Sequence, residues 1–386
     1  MFVSEIKLTS VAMLLNKLSI WSRSSSICPA GLEPVATAAC ADAGGWFGGL
    51  AVCAHAIVPT RMPKKTCFHM IQLSRNQTDC DLLEYDHFVL EEQNLQRLNL
   101  GEADLTILSD GTYEADGGAM FGVVPKVLWE KRIKADERNM LKMGLNSLLF
   151  RDGKRTVLIE TGIGPKLSEK NQAIHKNQAL LMNSMKEAGI SPDEVDIVIN
   201  THLHFDHCGW NTFYQDGKPE PTFPNAVYYV QEGELEHAHE QHERDRVSYL
   251  TDNYDPLVRS GQMRLLRGKA DIVKGITVEV FPGHTRHLQV VTVQVGGAVV
   301  CYPSDLVPTS HHLDPTWVLG YDLFPLESID SRHRFYRRAI PEKWLVVFTH
   351  DHETPWAYLE IGERGRPLAR ALEVDWQQQV TPFRST

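Results

Sequence analysis

The sequence predicts an α/β protein, an αββα sandwich of two mixed β-sheets with helices on the outer faces. Short apolar runs typical of strands come in two batches, and a segment of helical composition follows each batch. His and Asp side chains stand directly after several of these runs, as in folds that keep their chemistry in loops at strand ends. No repeat of about 20–50 residues is visible, so a solenoid is not predicted.

The first batch begins with leucines at 83, 90, 95 and 98, which predict a short helix before a strand over 105–108. The run Ser109-Asp110-Gly111 predicts the end of that strand. Residues 146–150 and 156–159 flank Asp152-Gly153, which is typical of a β-hairpin.

Helical composition then predicts a helix over 171–189, and the run 191–194 predicts one further turn before a strand over 195–200. A strand over 226–231 and a charged helix over 232–250 follow.

The second batch predicts three separate features: a strand over 276–281, a hairpin over 290–301 around Gly296-Gly297, and a strand over 344–347. Both batches together give the two sheets of the predicted sandwich.

Composition and charge exclude several classes of protein. Of the 386 residues, 42% are hydrophobic and 23% are charged, which is typical of a globular protein with room for one large domain and an appendage. The formal net charge of -10 disfavours a surface that tracks phosphates, so no nucleic-acid partner is expected. No run reaches about 18 apolar residues, so no membrane span is expected either.

Residues 1–80 are predicted to form a poorly ordered N-terminal extension ahead of a single domain over 81–386. Residues 1–21 lack a clean secretory segment, which predicts a cytoplasmic location, and residues 29–60 show no sustained periodicity. Five of the seven cysteines precede residue 81 without a CxxC pair, so neither a zinc finger nor a closed disulfide framework is predicted: Cys28, Cys40, Cys53, Cys67 and Cys80.

The run from Thr201 to His207 is the strongest chemical signal, because it crowds three imidazoles and a carboxylate behind an apolar strand. On an extended segment His202 and His204 project to one side, whereas Asp206 and His207 lie past the strand end and can face a second ion. The alternative is a solvated His-rich turn, which the downstream residues disfavour.

Three further ligand-type side chains follow predicted strands later in the chain. His284 stands in Pro-Gly-His-Thr, Asp305 in a Ser-Asp pair, and His350 in Thr-His-Asp. Each alone is an ordinary loop residue, but loops at strand ends can meet around one site.

These motifs resemble the metallo-β-lactamase-fold metallo-hydrolase superfamily, over about residues 100 to 360, and the ligand pattern is similar to that of its N-acyl homoserine lactonase-like branch. The resemblance implies a catalytic domain over 81–386 with two metal ions. By that similarity His202, His204 and His284 hold one ion, Asp305 bridges, and the second ion is held by Asp206, His207 and His350.

Imidazole and carboxylate ligands without thiolate suit Zn²⁺, with Mn²⁺ or Fe²⁺ as other occupants. The expected function is therefore hydrolysis in which a hydroxide between two zinc ions attacks an ester, lactone or related carbonyl. Asp206 and Asp305 are the candidates for moving the proton to the leaving group. Phosphotriester hydrolysis on the same centre is one alternative. The other is an iron-dependent sulfur dioxygenase, whose single iron the equivalents of His202, His284 and Asp305 would hold.

The sequence departs from the resembling proteins at two positions. Glu160 stands where the superfamily usually has an aspartate, and we expect it to support a ligating histidine instead. Pro308 occupies the position of the catalytic tyrosine of the lactonases, three residues after the bridging Asp.

Two apolar regions are candidates for the pocket of a small-molecule substrate with an apolar substituent, because they overhang the metals in the resembling enzymes. The first region is residues 117–125, predicted to form a loop, together with Trp129. The second consists of Trp317, Tyr321 and Phe324. The alternative for each region is that its side chains belong to the core. Neighbouring residues that we expect not to be ligands are His311, His312, His352 and Cys208.

Overall fold

A computed structural model describes residues 95–372, which belong to one structural unit. The predicted extension over 1–80 and its five cysteines lie outside the described residues. Within 95–372 the strands are β1 Arg97–Asn99, β2 Asp104–Asp116, β3 Met140–Arg151, β4 Thr156–Ile159, β5 Ile197–Ile199, β6 Thr212–Gln215, β7 Lys218–Pro221, β8 Val227–Gln231, β9 Met263–Leu266, β10 Ala270–Val273, β11 Ile276–Val280, β12 Gln289–Val295, β13 Ala298–Tyr302, β14 Leu345–Val347, β15 Trp356–Ile361 and β16 Pro367–Ala371.

The helices of the described region are short, apart from the last. They are α1 Gly117–Phe121, α2 Lys126–Trp129, α3 Glu169–His175, α4 Leu181–Glu187, α5 Phe205–Cys208, α6 Glu232–Glu240, α7 Asp255–Ser260 and α8 Pro325–Ala339. None of the helices described is long and apolar enough to cross a membrane.

The strands form two mixed sheets of seven strands each. The first has the order β1-β2-β3-β4-β5-β8-β9 and the second runs from β10 to β16 in chain order, while β6 and β7 pair separately. β4, β5, β8 and β9 pair in parallel, and the second sheet contains one parallel pair, β13 with β14.

Apolar side chains pack in layers that match the predicted sandwich. One buried cluster joins Ile107 and Leu148 of the first sheet to Val278 and Val291 of the second, so the two sheets face each other. A second cluster packs the first sheet against α4, α6 and α7, and a third packs the second sheet against α8. The αββα prediction is therefore confirmed.

The hairpins and strands predicted from turn residues are confirmed. β3 pairs antiparallel with β4 across Asp152-Gly153, and β12 pairs with β13 across Gly296-Gly297. The predicted helical turn over 191–194 is present as a 3-10 helix over Pro192–Glu194, and Ser191 and Glu194 form its capping box.

The predicted helices were too long. The helix expected over 171–189 is divided into α3 and α4, because Lys176 and Ala179 adopt left-handed backbone angles between them. The helix expected over 232–250 ends at Glu240, where Gln241 has a φ of 49°. The helix expected from the leucines at 83–98 is wrong at its described end, since Leu98 lies in β1.

A β-bulge explains the wrong prediction for the end of β2. The Ser-Asp-Gly run at 109–111 does not end the strand. Ser109 pairs with Asn146 and Thr112 with Gly144, so β2 advances three residues while β3 advances two. One extra residue therefore sits in β2, and the strand continues to Asp116. A bulge and a turn use the same residue types, and the local sequence does not separate them.

Candidate metal centre

The strands deliver the predicted ligands to one edge of the sandwich. His202 follows β5, His284 follows β11, Asp305 follows β13 and His350 follows β14. Because β4 and β5 are parallel, as are β13 and β14, their carboxyl ends meet on the same side of their sheets. α5 begins at Phe205 and carries Asp206 and His207 into the same space.

Three imidazoles form what we call the three-histidine group: His202, His204 and His284. One ligand atom of each lies within 4.8 Å of those of the other two, and all three side chains are buried. Nδ1 of His204 lies 3.1 Å from Nε2 of His284.

The second set, called the mixed group, is Asp206, His207 and His350. Its ligand atoms also lie within 4.8 Å of one another. Oδ2 of Asp206 lies 3.6 Å from Nε2 of His207 and 3.5 Å from Nε2 of His350.

The carboxylate of Asp305 stands between the two groups. Its Oδ2 lies 3.2 Å from Nε2 of His284 and 3.5 Å from Nε2 of His207, while Oδ1 lies 3.2 Å from Nε2 of His350. All seven residues predicted from the sequence are thus brought together, in the two groups that the resemblance implied. Their role as ligands stays a prediction.

The atoms that point inward lack partners, which is the pattern expected of a metal site. Buried atoms without a hydrogen-bond partner include Nε2 of His202, His207 and His350 and Oδ1 of Asp305. Leaving such polar atoms buried and unpaired is costly unless something binds them. Nitrogen and oxygen donors without thiolate fit a borderline or hard divalent ion such as Zn²⁺.

The outer nitrogens of these histidines are held by hydrogen bonds, which fixes the orientation of each ring. Nδ1 of His202 lies 2.9 Å from Oγ1 of Thr201, and Nδ1 of His350 lies 2.9 Å from the carbonyl oxygen of Gly144. Since Nδ1–H can donate to that carbonyl, the free lone pair of His350 is on the inward-facing Nε2.

Electrostatics favour the metal-binding form of two imidazoles and one carboxylate, whereas the pKa of His207 and of His284, which burial alone would lower, is raised by the carboxylates beside them. Burial, reinforced by neighbouring imidazoles, holds the pKa of His202 and His204 well below the usual value, so both rings are neutral. Burial alone would raise the pKa of Asp305, but the surrounding imidazoles, first that of His207, hold it well below its usual range. Asp305 is therefore an anion at neutral pH.

Glu160 supports the mixed group, as expected from its sequence position. Its Oε1 accepts a hydrogen bond of 2.8 Å from the backbone N–H of Thr201, and Oε2 lies 3.3 Å from Nδ1 of His207. The residue is buried and has a φ of 67°, an uncommon angle for a residue with a side chain.

Two supporting carboxylates were missed by the sequence reasoning. Asp322 places Oδ1 3.0 Å from Nδ1 of His284. Glu234, on α6, accepts hydrogen bonds from Leu203 N–H at 3.1 Å, the Tyr249 hydroxyl at 2.9 Å and the Thr285 hydroxyl at 2.7 Å. Glu234 thereby connects the loop of His202 and His204 to the loop of His284. These hydrogen bonds join residues far apart in the sequence, so no local sequence pattern predicts them.

A cavity of about 250 Å³ opens onto the centre. His204, Asp206, His284, Asp305 and His350 line one part of it, and the apolar part of the wall consists mainly of Met120, Phe205, Val247 and Leu319. Within residues 95–372, none of the side chains that line this cavity is Lys or Arg.

The predicted pocket regions contribute less than expected. Residues 117–121 form helix α1, capped by Asp116, rather than a loop. Phe121 stacks between Trp129 and His312 at ring-centroid distances of 5.1 and 4.5 Å, so these rings are core packing, as is buried Trp317. Of the two predicted regions, the side chains that line the cavity are Met120 and Tyr321.

The histidines and the cysteine expected not to be ligands are absent from the three-histidine group and the mixed group, and from a third cluster of the described region, formed by Glu160, His202 and His207. Nε2 of His312 lies 2.9 Å from the carbonyl oxygen of Met120, and the buried thiol of Cys208 donates to carbonyl oxygens of its own turn. Pro308 accepts a hydrogen bond of 2.9 Å from the backbone N–H of His350.

A protein-family model described as the metallo-beta-lactamase superfamily matches residues 143–350, more than half of the chain. The chain therefore belongs to the metallo-beta-lactamase superfamily, a superfamily of metallo-hydrolases, and the predicted resemblance is confirmed.

Particular relatives point to the lactonases. The N-acyl homoserine lactonase of Bacillus thuringiensis is 26% identical over 198 residues, which cover 50% of this chain and 68% of that protein. A probable metal-dependent hydrolase from Staphylococcus aureus has a TM-score of 0.65 and 28% identity, covering 72% of this chain and 100% of the other. AidC, a dizinc quorum-quenching lactonase, shares the fold with a TM-score of 0.61 and 20% identity, covering 72% of this chain and 98% of its own.

Proposed function

We propose that this protein is a binuclear zinc hydrolase of neutral esters or lactones that carry an apolar substituent. The three-histidine group would hold one ion, the mixed group the other, and Asp305 would bridge them. One observation carries the proposal: unpaired imidazole and carboxylate atoms converge at a cavity with apolar walls and no Lys or Arg among its described lining.

When bound, two such ions lower the pKa of water towards about 7 and polarise a carbonyl oxygen. The chain's own carboxylates would handle the proton. The side chain of Asp206 is 14% exposed and that of Asp305 7%, and both line the cavity, so either can pass a proton to the leaving oxygen.

The charge of the cavity supports a neutral substrate. Enzymes that bind phosphate or carboxylate groups usually clamp them with Arg or Lys, and the described cavity wall offers neither. Met120, Phe205, Val247 and Leu319 offer apolar contact instead. The lactonase relatives make an N-acyl homoserine lactone the first substrate to test.

A second group of ligand atoms supports two ions over the single iron of a sulfur dioxygenase. His202, His284 and Asp305 would suffice for one iron, yet Asp206, His207 and His350 converge beside them with their own unpaired atoms.

The test is metal analysis of the purified full-length protein together with a substrate panel. We expect about two zinc ions per chain and hydrolysis of acyl homoserine lactones or aryl esters, with matched substrates that carry a carboxylate or phosphate turned over far more slowly. Neutral phosphotriesters belong in the panel, because the same cavity would admit them. A single iron in active protein, or a preference for the anionic substrates, would contradict the proposal.

A further inference from the structure

The bulge in β2 turns Tyr113 towards the cavity. Ile107 pairs with Leu148 and faces the other sheet. Tyr113 pairs with Met143, which lies an odd number of positions from Leu148 along β3. Cross-strand partners share a face and successive residues alternate, so Tyr113 lies on the face opposite to Ile107. Ile107 and Tyr113 are six positions apart, an even number, so in a regular strand they would share one face.

The hydroxyl of Tyr113 lies at the mixed group. It is 3.5 Å from Oδ2 of Asp206, the same oxygen that lies 3.5 Å from Nε2 of His350. The ring packs edge-on against His350 with a centroid distance of 5.4 Å, and the residue is buried while lining the cavity.

The hydroxyl of Tyr113 can donate a hydrogen bond to a substrate, because its one partner in the described region holds it weakly. A distance of 3.5 Å is at the outer limit of hydrogen bonding, and Asp206 is the partner it has among the described residues. A phenol is protonated at neutral pH, so the group is a donor. The resembling lactonases carry a tyrosine at the position of Pro308, and a proline side chain has no hydrogen-bond donor.

We propose that Tyr113 is a catalytic residue that donates its O–H hydrogen bond to the carbonyl oxygen of the substrate. The inference rests on the proposed hydrolysis of esters or lactones. As the oxygen of water bonds to the carbonyl carbon, the C=O electron pair moves onto the carbonyl oxygen, which then accepts the Tyr113 hydrogen bond more strongly. The proton stays on Tyr113. The attacking water gives a proton to the carboxylates of Asp206 and Asp305 as it bonds to carbon. The acyl–oxygen bond then breaks, and the leaving oxygen takes that proton from the carboxylates, giving an acid and an alcohol.

The test compares three phenol-to-phenyl substitutions in the full-length, zinc-loaded protein. Tyr113→Phe should lower kcat and kcat/KM together by about 100-fold with KM within about twofold, because the bond strengthens in the transition state. Zinc content should be unchanged. Binding of an alkyl phosphonate monoester, a mimic of the tetrahedral state, should weaken by a similar factor, which gives a readout independent of turnover.

Tyr254→Phe is the matched control. Tyr254 is also buried, and its hydroxyl donates a hydrogen bond of 3.3 Å to the carbonyl oxygen of Ala238. It packs between the first sheet and its helices and does not line the cavity. Its kcat should match the wild type. Tyr321→Phe tests the competing tyrosine of the cavity, which is 38% exposed, and its effect should be smaller than that of Tyr113→Phe.

Three outcomes would overturn the assignment: loss of zinc from Tyr113→Phe, which would make Tyr113 a positioning residue for Asp206; unchanged kcat; or the larger loss in Tyr321→Phe. If the wild type hydrolyses no ester or lactone, the proposed function fails. The phosphonate affinities of wild type and Tyr113→Phe would then still decide whether the hydroxyl contacts a ligand in the cavity.

Discussion

The three-histidine group and the mixed group lie at one edge of the fold, but they are built differently. The three-histidine group consists of imidazoles alone, and two buried carboxylates lie outside it: Asp322 contacts His284, and Glu234 joins the loop of His204 to the loop of His284. The mixed group contains a carboxylate of its own, Asp206, and Glu160 contacts His207 from outside the group. One group thus depends on its neighbours for negative charge, whereas the other contains it. Substitutions should therefore affect the two groups through different residues.

The largest effect on activity is expected from Asp305, the residue that lies between the two groups. Asp305→Asn keeps the shape but removes the anion that faces His284, His207 and His350. We expect kcat/KM for ester or lactone hydrolysis to fall at least about 1,000-fold. Asp271→Asn makes the same chemical change at an exposed position of β10 and should leave kcat/KM unchanged. Near wild-type rates in Asp305→Asn would place the chemistry elsewhere.

Removing one ligand from each group tests whether they are separate sites. His284→Ala and His350→Ala should each lower the metal content from two ions to about one, and each should lower kcat by about 100-fold. Metal content is measured by elemental analysis after dialysis. His333→Ala, an exposed histidine of α8, serves as the control. A loss of both ions from either variant would show that the groups act as a single site.

The same substitution, Glu to Gln, can be made in one supporting carboxylate of each group. Glu234→Gln should weaken metal binding to the three-histidine group, and Glu160→Gln should weaken it to the mixed group, each by about 10–100-fold. Competition titration with a chelator resolves the two binding steps. Glu236→Gln alters an exposed residue of the same helix as Glu234 and should bind like the wild type. Equal weakening of both steps in both variants would argue against separate supports.

The smallest effect is expected from removing residues 1–80. All the proposed ligands of both groups follow residue 201, so a chain that begins at Asp81 should keep two ions and a rate within about twofold of full length. In the full-length protein, replacing the five early cysteines by serine should change Tm by a few degrees at most. Aggregation or metal loss would mean that the segment packs on the domain.

The sequence was sufficient for features that are local. Hairpins follow from Asp152-Gly153 and Gly296-Gly297 because those residues adopt positive φ or stabilise tight turns. The convergence of the seven candidate residues could be predicted because they lie in segments that follow apolar strands, and loops at strand ends can meet around one site. Their role as ligands stays a prediction.

The features that the sequence did not predict depend on distant contacts. Glu234 is 51 positions from Thr285 and Asp322 is 38 positions from His284, so neither pair leaves a local pattern. The helix prediction over 171–189 failed because helical composition does not report a left-handed break at Lys176. Tyr113 was missed because the bulge before it was read as a turn.

The extra residue in β2 makes one wall of the cavity depend on how the strand is paired as well as on side-chain identity. If the strand kept its length and paired regularly beyond Ser109, every later side chain would exchange faces, and Thr112 would lie opposite Met143 where Tyr113 now lies. Deleting a single residue between Ser109 and Thr112 would instead remove the bulge and leave the pairing of Tyr113 with Met143 unchanged. The orientation of Tyr113 therefore depends on one extra residue in a stretch that has the composition of a surface turn.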